Sequence, residues 1–137
     1  MDDDGFQEAT YRLAHVDGGA LHFAKVTVAV STTTHAATVV PGTAPFAWRK
    51  SAYGPYAYAL DTDVDHLAEA LDGARLALRV VSRDVLAVVT EICTNVDTWP
   101  GDVRYAAGHA LWRAVGVDRP ALCVVRKGLL VFPDDVS

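Results

Sequence analysis

Residues 62–78, TDVDHLAEALDGARLAL, decide the fold. Val64, Leu67, Ala68, Leu71, Ala74 and Leu78 recur at the three-to-four spacing that gathers apolar side chains on one face of a helix, leaving Glu69, Asp72 and Arg75 for solvent. Thr62 can accept a hydrogen bond from the free amides of the first turn, and Asp63 and Asp65 suit its positive dipole end. Gly73 interrupts the pattern at a cost of about 1 kcal/mol relative to alanine, which often marks a close backbone contact.

A one-sided helix needs a layer to cover, and the flanking sequence supplies strands. Phe6–Val16 and Ala20–Ser31 read as strands on either side of Asp17-Gly18-Gly19, a hairpin in which Val26, Val28 and Val30 face the core. Asp84–Thr94 is β-branched and apolar and reads as another strand, followed by a turn from Asn95 to Trp99. A second helix begins near Pro100, with Val103, Ala106, Ala107, Ala110, Leu111, Ala114 and Val115 as its apolar stripe and Gly116 as its left-handed terminator. His109, beside that stripe, is expected to be partly buried, and His66 to face solvent. Ala121–Arg126 and Leu129–Phe132 are strands joined by Lys127-Gly128. This order predicts an α+β fold of the split β-α-β kind, with two helices packed on one face of a mostly antiparallel sheet.

The stretch from Ser31 to Leu60 lacks periodicity and carries Pro41, Gly42, Pro45, Gly54 and Pro55, with one short strand near Ala37–Val40. It also concentrates Phe46, Trp48, Tyr53, Tyr56 and Tyr58 around Arg49 and Lys50. Such rings can stack on unpaired bases while the cations meet phosphates, which makes Trp48, Arg49, Lys50 and Tyr53 candidate binding residues. The preferred reading is that the rings close one end of the core or an oligomer interface.

With 137 residues and no repeat or linker, residues 1–137 form one domain, large enough to bury roughly 70% of the unfolded surface. Apolar residues make up 51% and charged residues 21%, a globular balance. The net charge of −5 argues against a broad positive field for nucleic acid or acidic membranes, so DNA is not an expected partner, although a local basic patch stays open. The acidic start Asp2-Asp3-Asp4 and the absence of a long apolar run predict a cytoplasmic protein without a membrane span. Cys93 and Cys123, each in a strand, read as free thiols.

Catalytic machinery is not legible. There is no phosphate loop ending in Lys and Ser or Thr, which excludes GTPase activity, and no Gly-x-Ser-x-Gly elbow. The five histidines lack metal-ligand spacing, and Asp61, Asp63 and Asp65 suit helix capping better than metal binding, so no metal or cofactor is expected.

The run from His66 to Val115 resembles the fourth domain of translation elongation factor G, found also in tetracycline-resistance ribosomal protection proteins. The likeness is carried by Asn95-Val96-Asp97-Thr98 and the following Arg104-Tyr105-Ala106-Ala107, with Arg119-Pro120-Ala121-Leu122-Cys123-Val124-Val125 and His22-Phe23-Ala24-Lys25-Val26 as supporting segments. Asn95 stands where the family usually has histidine. The resemblance implies a split β-α-β domain with a left-handed crossover, and a tip loop holding Asn95, Asp97 and Thr98 that would reach the ribosome. It makes a non-enzymatic module binding ribosome, RNA or protein the first expectation. A homodimeric structural or regulatory protein is the second, and an enzyme with a scattered site drawn from His15, His22 or Asp97 the third.

Overall fold

The computed structural model of the chain describes residues 6–17, 19–54, 60–81, 83–117, 124–126 and 129–131. The expected hairpin is formed by β1 (Gln7–Asp17) and β2 (Ala20–Thr32), antiparallel and in unbroken register from Gln7 opposite Val30 to Asp17 opposite Ala20. β3 (Thr38–Pro41) follows, then a short helix α1 (Trp48–Tyr53) and the long helix α2 (Asp63–Val81). β4 (Val85–Cys93) leads into α3 (Asp102–Ala114). The four strands form a mixed sheet in the order β1-β2-β4-β3, with β3 parallel to β4 and the other pairs antiparallel. Parallel neighbours need a crossover, and the segment containing α1 and α2 provides it. The α+β class expected from the sequence is therefore the class observed, with α1 as an added element.

β5 (Val124–Arg126) and β6 (Leu129–Val131) form a separate antiparallel pair, with Arg126 opposite Leu129. Residues 127–128 of their connection lie outside the described residues, as do Asp2–Asp4, Gly18, Pro55, Tyr56, Tyr58, Cys123, Arg119–Leu122 and Phe132.

One sheet face makes the core. Tyr11 and Leu13 of β1, Ala24, Val26, Val28 and Val30 of β2, and Val85, Ala87, Val89 and Ile92 of β4 are buried. A bulge at Thr90 shifts the register between Val28–Val89 and Thr27–Glu91, so both Val89 and Ile92 turn inward although an odd number of steps separates them. On the other face the Thr10 and Thr27 hydroxyls share a 2.7 Å hydrogen bond.

α3 packs on β1 and β2 while α2 packs on α3 and on β3 and β4, and the burial of α3 extends beyond the expected stripe to Tyr105, His109 and Trp112. His109 stacks on Tyr11 at 4.7 Å between ring centroids. The α3 backbone ends where expected, with Gly116 at φ 79°.

The expected stripe of α2 holds at Ala74 and Leu78, which are buried, and at Leu67 and Leu71, which pack against the core, but not at Val64 and Ala68. Its buried residues include Ala70, Gly73, Ala74, Ala77 and Leu78, whereas Val64 is 74% exposed and Ala68 also faces solvent. Small side chains let two helix backbones approach, which adds Ala70, Gly73 and Ala77 to the buried face. A Cβ on Gly73 would lie 2.1 Å from the Arg104 carbonyl oxygen, so the close backbone contact is with α3. Trp112 closes the same interface by donating its indole N–H to the Ala77 carbonyl at 3.0 Å. Glu69 is half-buried rather than solvent-facing, because its carboxylate accepts the Gly101 and Arg104 amides at 3.1 and 3.3 Å. His66, expected in solvent, is half-buried on the same side of α2.

Candidate functional site

The polypeptide between β4 and α3 is a loop held against the start of β2. Within it, Asn95 Oδ1 accepts the Asp97 amide at 2.7 Å and Thr98 Oγ1 accepts the Asn95 amide at 3.0 Å, short side-chain turns of the kind Asn and Thr favour. Outward from the loop, the Thr98 hydroxyl donates to the Phe23 carbonyl at 2.7 Å and the Phe23 amide donates to the Asp97 carbonyl at 3.2 Å. Trp99 donates its indole N–H to the Leu21 carbonyl at 3.0 Å. Each bond contributes on the order of 1 kcal/mol, and together they fix one loop conformation.

A buried pair anchors the base. Asp102, in the first turn of α3, accepts the Trp99 amide through Oδ2 at 2.8 Å and meets His22 Nδ1 through Oδ1 at 2.8 Å. His22 is 2% exposed and Asp102 is fully buried, which closes both off from any substrate. Burial pushes the Asp102 carboxyl above its ordinary value, and the Trp99 amide and His22 oppose that rise. His22, Trp99 and Asp102 do not stand out as a group in the sequence because 80 residues separate the histidine from the aspartate. The one local signal is an acidic residue directly after Pro100-Gly101.

These bonds engage the Thr98 hydroxyl and the Asn95 Oδ1, while Asn95 itself is exposed, and Asp97 is half-buried with its backbone engaged. Two large apolar groups face outward beside it: Val96 is 99% exposed and Trp99 43%. Val16 and Leu21, paired across the end of the β1–β2 hairpin, are 63% and 38% exposed at the same end of the sheet.

The aromatic segment divides into two roles. Trp48 donates its indole N–H to the Ile92 carbonyl at 2.6 Å, and Phe46 packs against the core, so these rings close the sheet beside β4. Arg49 is buried, forks onto Asp63 at 2.5 and 2.6 Å, and lies over the Phe46 and Trp48 rings at 4.9 and 5.5 Å. That corrects its reading as a phosphate contact: its donors and its aromatic surroundings hold α1 to the start of α2. Burial raises the Asp63 carboxyl, but the Arg49 hydrogen bonds, the Leu60 amide and the Arg49 charge outweigh it and leave the group below its ordinary value. Lys50 and Tyr53 face solvent, Tyr53 at 71% exposure. Both candidate segments come to one end of β4, since Trp48 is held by Ile92 and the loop begins two residues later.

Cys93 is half-buried beside Glu91, and burial with that carboxylate pushes its thiol up to about 11, which makes it a poor nucleophile. No described helix is long and apolar enough to cross a membrane.

No family model matches the chain, and no curated protein does. Among solved structures it is similar to a crystallised protein of Thermus thermophilus, with a TM-score of 0.55 and 11% identity over 79% of this chain. The matched region is 15% of that protein. At this identity the likeness concerns the fold alone, an α+β unit that recurs inside a much longer chain.

Proposed function

We propose that the chain is a non-enzymatic, cytoplasmic binding module of the kind found as the fourth domain of elongation factor G, and that it engages the ribosome or its RNA through the loop between β4 and α3. The observation that carries this reading is a loop rigidly braced from within yet presenting Val96 at 99% exposure and Trp99 at 43%. Val16 and Leu21 are exposed at the same end of the sheet, and grouped apolar side chains on a prebuilt tip favour docking because little has to be ordered on binding. Trp99 supplies a ring on which an unpaired base can stack, and Lys50 and Tyr53 lie on the helix at the same end of the sheet. Gradient sedimentation with ribosomes, at low and physiological salt, tests the proposal. Absence from the ribosomal fractions at both would remove it.

A homodimer is the second reading, favoured by the outer edge of β1, an edge strand of 11 residues, and by the exposed Tyr53. Light scattering separates the two: a stable dimer that dissociates on Tyr53→Ala supports this version. The enzyme reading has less support, because the His22 and Asp102 pair is sealed inside the fold.

A further inference from the structure

The strand that leads to the loop begins, at its other end, beside a cavity of about 610 Å³ between the edge strand β3 and the last turns of α2. Thr38 and Val39 form one wall, and Leu78 forms part of the other. Arg75, Arg79 and Arg83 converge on it, against one acidic residue, Asp84. Three positive charges less one negative leave an excess of two in this place, on a chain whose net charge is −5.

Among the described residues, two of the three cations have no ion-pair partner. The ion pairs among the described residues are His22 with Asp102, Arg49 with Asp63 and Arg104 with Asp72, and none involves Arg75 or Arg79. Arg83 is fixed in place, because one of its nitrogens donates to the Val115 carbonyl at 2.7 Å. Like charges four residues apart on a helix repel, and a third one brought in by the following turn adds to the repulsion. An ordinary solvated helix face would intersperse acids here, as α2 does nearer its start with Glu69 and Asp72. All three cations are arginine, whose planar fork matches phosphate oxygens two at a time. Among the described residues no aromatic ring lines the cavity, so it would grip phosphate and leave a base unread. Its volume falls in the range of small-ligand sites.

We propose that this cavity binds phosphate groups, with Arg75 and Arg79 as the exposed forks and Arg83 as the one held by Val115. The phosphates belong either to an RNA backbone or to a small polyphosphate. The site is separated from the loop by the length of β4, nine residues or roughly 30 Å, and does not depend on the loop being a docking tip.

The test titrates the whole chain at low salt with two probes, inorganic pyrophosphate by calorimetry and a short labelled single-stranded RNA by anisotropy. The variant Arg75→Gln/Arg79→Gln changes exposed positions and leaves Arg83 and its bond to Val115 intact. Binding of at least one probe is expected, weakened tenfold or more in the variant. If RNA is the ligand, the slope of log affinity against log salt should fall by about 1.4 in the variant, roughly 0.7 for each phosphate no longer neutralised. RNA binding without pyrophosphate binding assigns the backbone as the source, and the reverse assigns a small polyphosphate. A wild-type chain that binds neither probe, or a double variant that binds as the wild type does, overturns the proposal.

Discussion

Replacing Gly73 with alanine should drive the two long helices apart. A Cβ at this position would sit 2.1 Å from the Arg104 carbonyl oxygen, 2.9 Å from its carbon and 3.1 Å from its Cα. The first distance is 1.3 Å short of the 3.4 Å at which ordinary contact begins. All three atoms are backbone, so no rotamer change relieves the clash and α2 and α3 must move as bodies. Overpacking of this kind costs about 1–3 kcal/mol, and a backbone-to-backbone clash belongs at the upper end. Alanine returns about 1 kcal/mol of helix propensity, leaving a net loss of about 2 kcal/mol. For a chain of this size that is a fall in melting temperature of roughly 6–10 °C. Because Arg104 lies in the first turn of α3, next to the amides that Glu69 caps, the displacement should reach the loop before it. Thermal unfolding by circular dichroism reads the effect, with Ala68→Gly on the exposed face of α2 as a control that isolates the helix-propensity effect at a loss of about 1 kcal/mol. A Gly73→Ala protein that melts at or above the wild-type temperature would refute the close crossing.

Other consequences follow from the buried charges and the thiol. Arg49→Met should cost about 3 kcal/mol in urea unfolding, because it strands the Asp63 carboxylate, while Lys50→Ala beside it should change stability by less than about 0.5 kcal/mol. Stability should depend on pH in two opposed ways. Burial raises Glu69 and Asp102 above their ordinary 4.5 and 3.8, so their contribution is fully present below those values and is lost as pH rises through the raised ones. Asp63, lowered below 3.8, contributes above that pH and loses its contribution as pH falls through its folded value. Melting temperature should therefore rise on moderate acidification from neutrality and turn down below pH 3.8. A smaller rise is expected in Glu69→Gln/Asp102→Asn, and a steady decline of the wild type on acidification from neutrality would contradict the assignment. Alkylation of Cys93 by iodoacetamide, followed by site-resolved mass spectrometry, should reach half its limiting rate at about pH 11; a midpoint near about pH 8.5 would show an ordinary exposed thiol.

The parts of the fold legible in the sequence are those set by local pattern. The hairpin follows from alternation at Val26, Val28 and Val30 around a glycine turn, and all three valines are buried. The end of α3 follows from Gly116, and the crossing at Gly73 from the cost of a glycine inside a helix. The facing of α2 was legible in part: Leu67, Leu71, Ala74 and Leu78 face the core, whereas hydrophobic periodicity also weighs Val64 and Ala68 as core and misses the close packing at Ala70, Gly73 and Ala77. α1 leaves no mark in the sequence because six residues span less than two turns and carry no periodic signal. In the candidate site, the loop's position was readable from its turn residues. The bracing of the loop was not, since Thr98 and Trp99 are held by partners on β2 that lie more than 70 residues away. The Arg49 pairing with Asp63 depends likewise on how α1 folds back on α2.

The central claim is that the braced loop between β4 and α3 is the docking end of the molecule. Sedimentation of Val96→Asp/Trp99→Ala through a gradient beside the wild type, both with ribosomes at physiological salt, addresses it most directly. The account predicts that the wild-type chain travels with the ribosomes and that the variant, folded by circular dichroism, stays at the top. Equal migration of the two proteins with the ribosomes would contradict it.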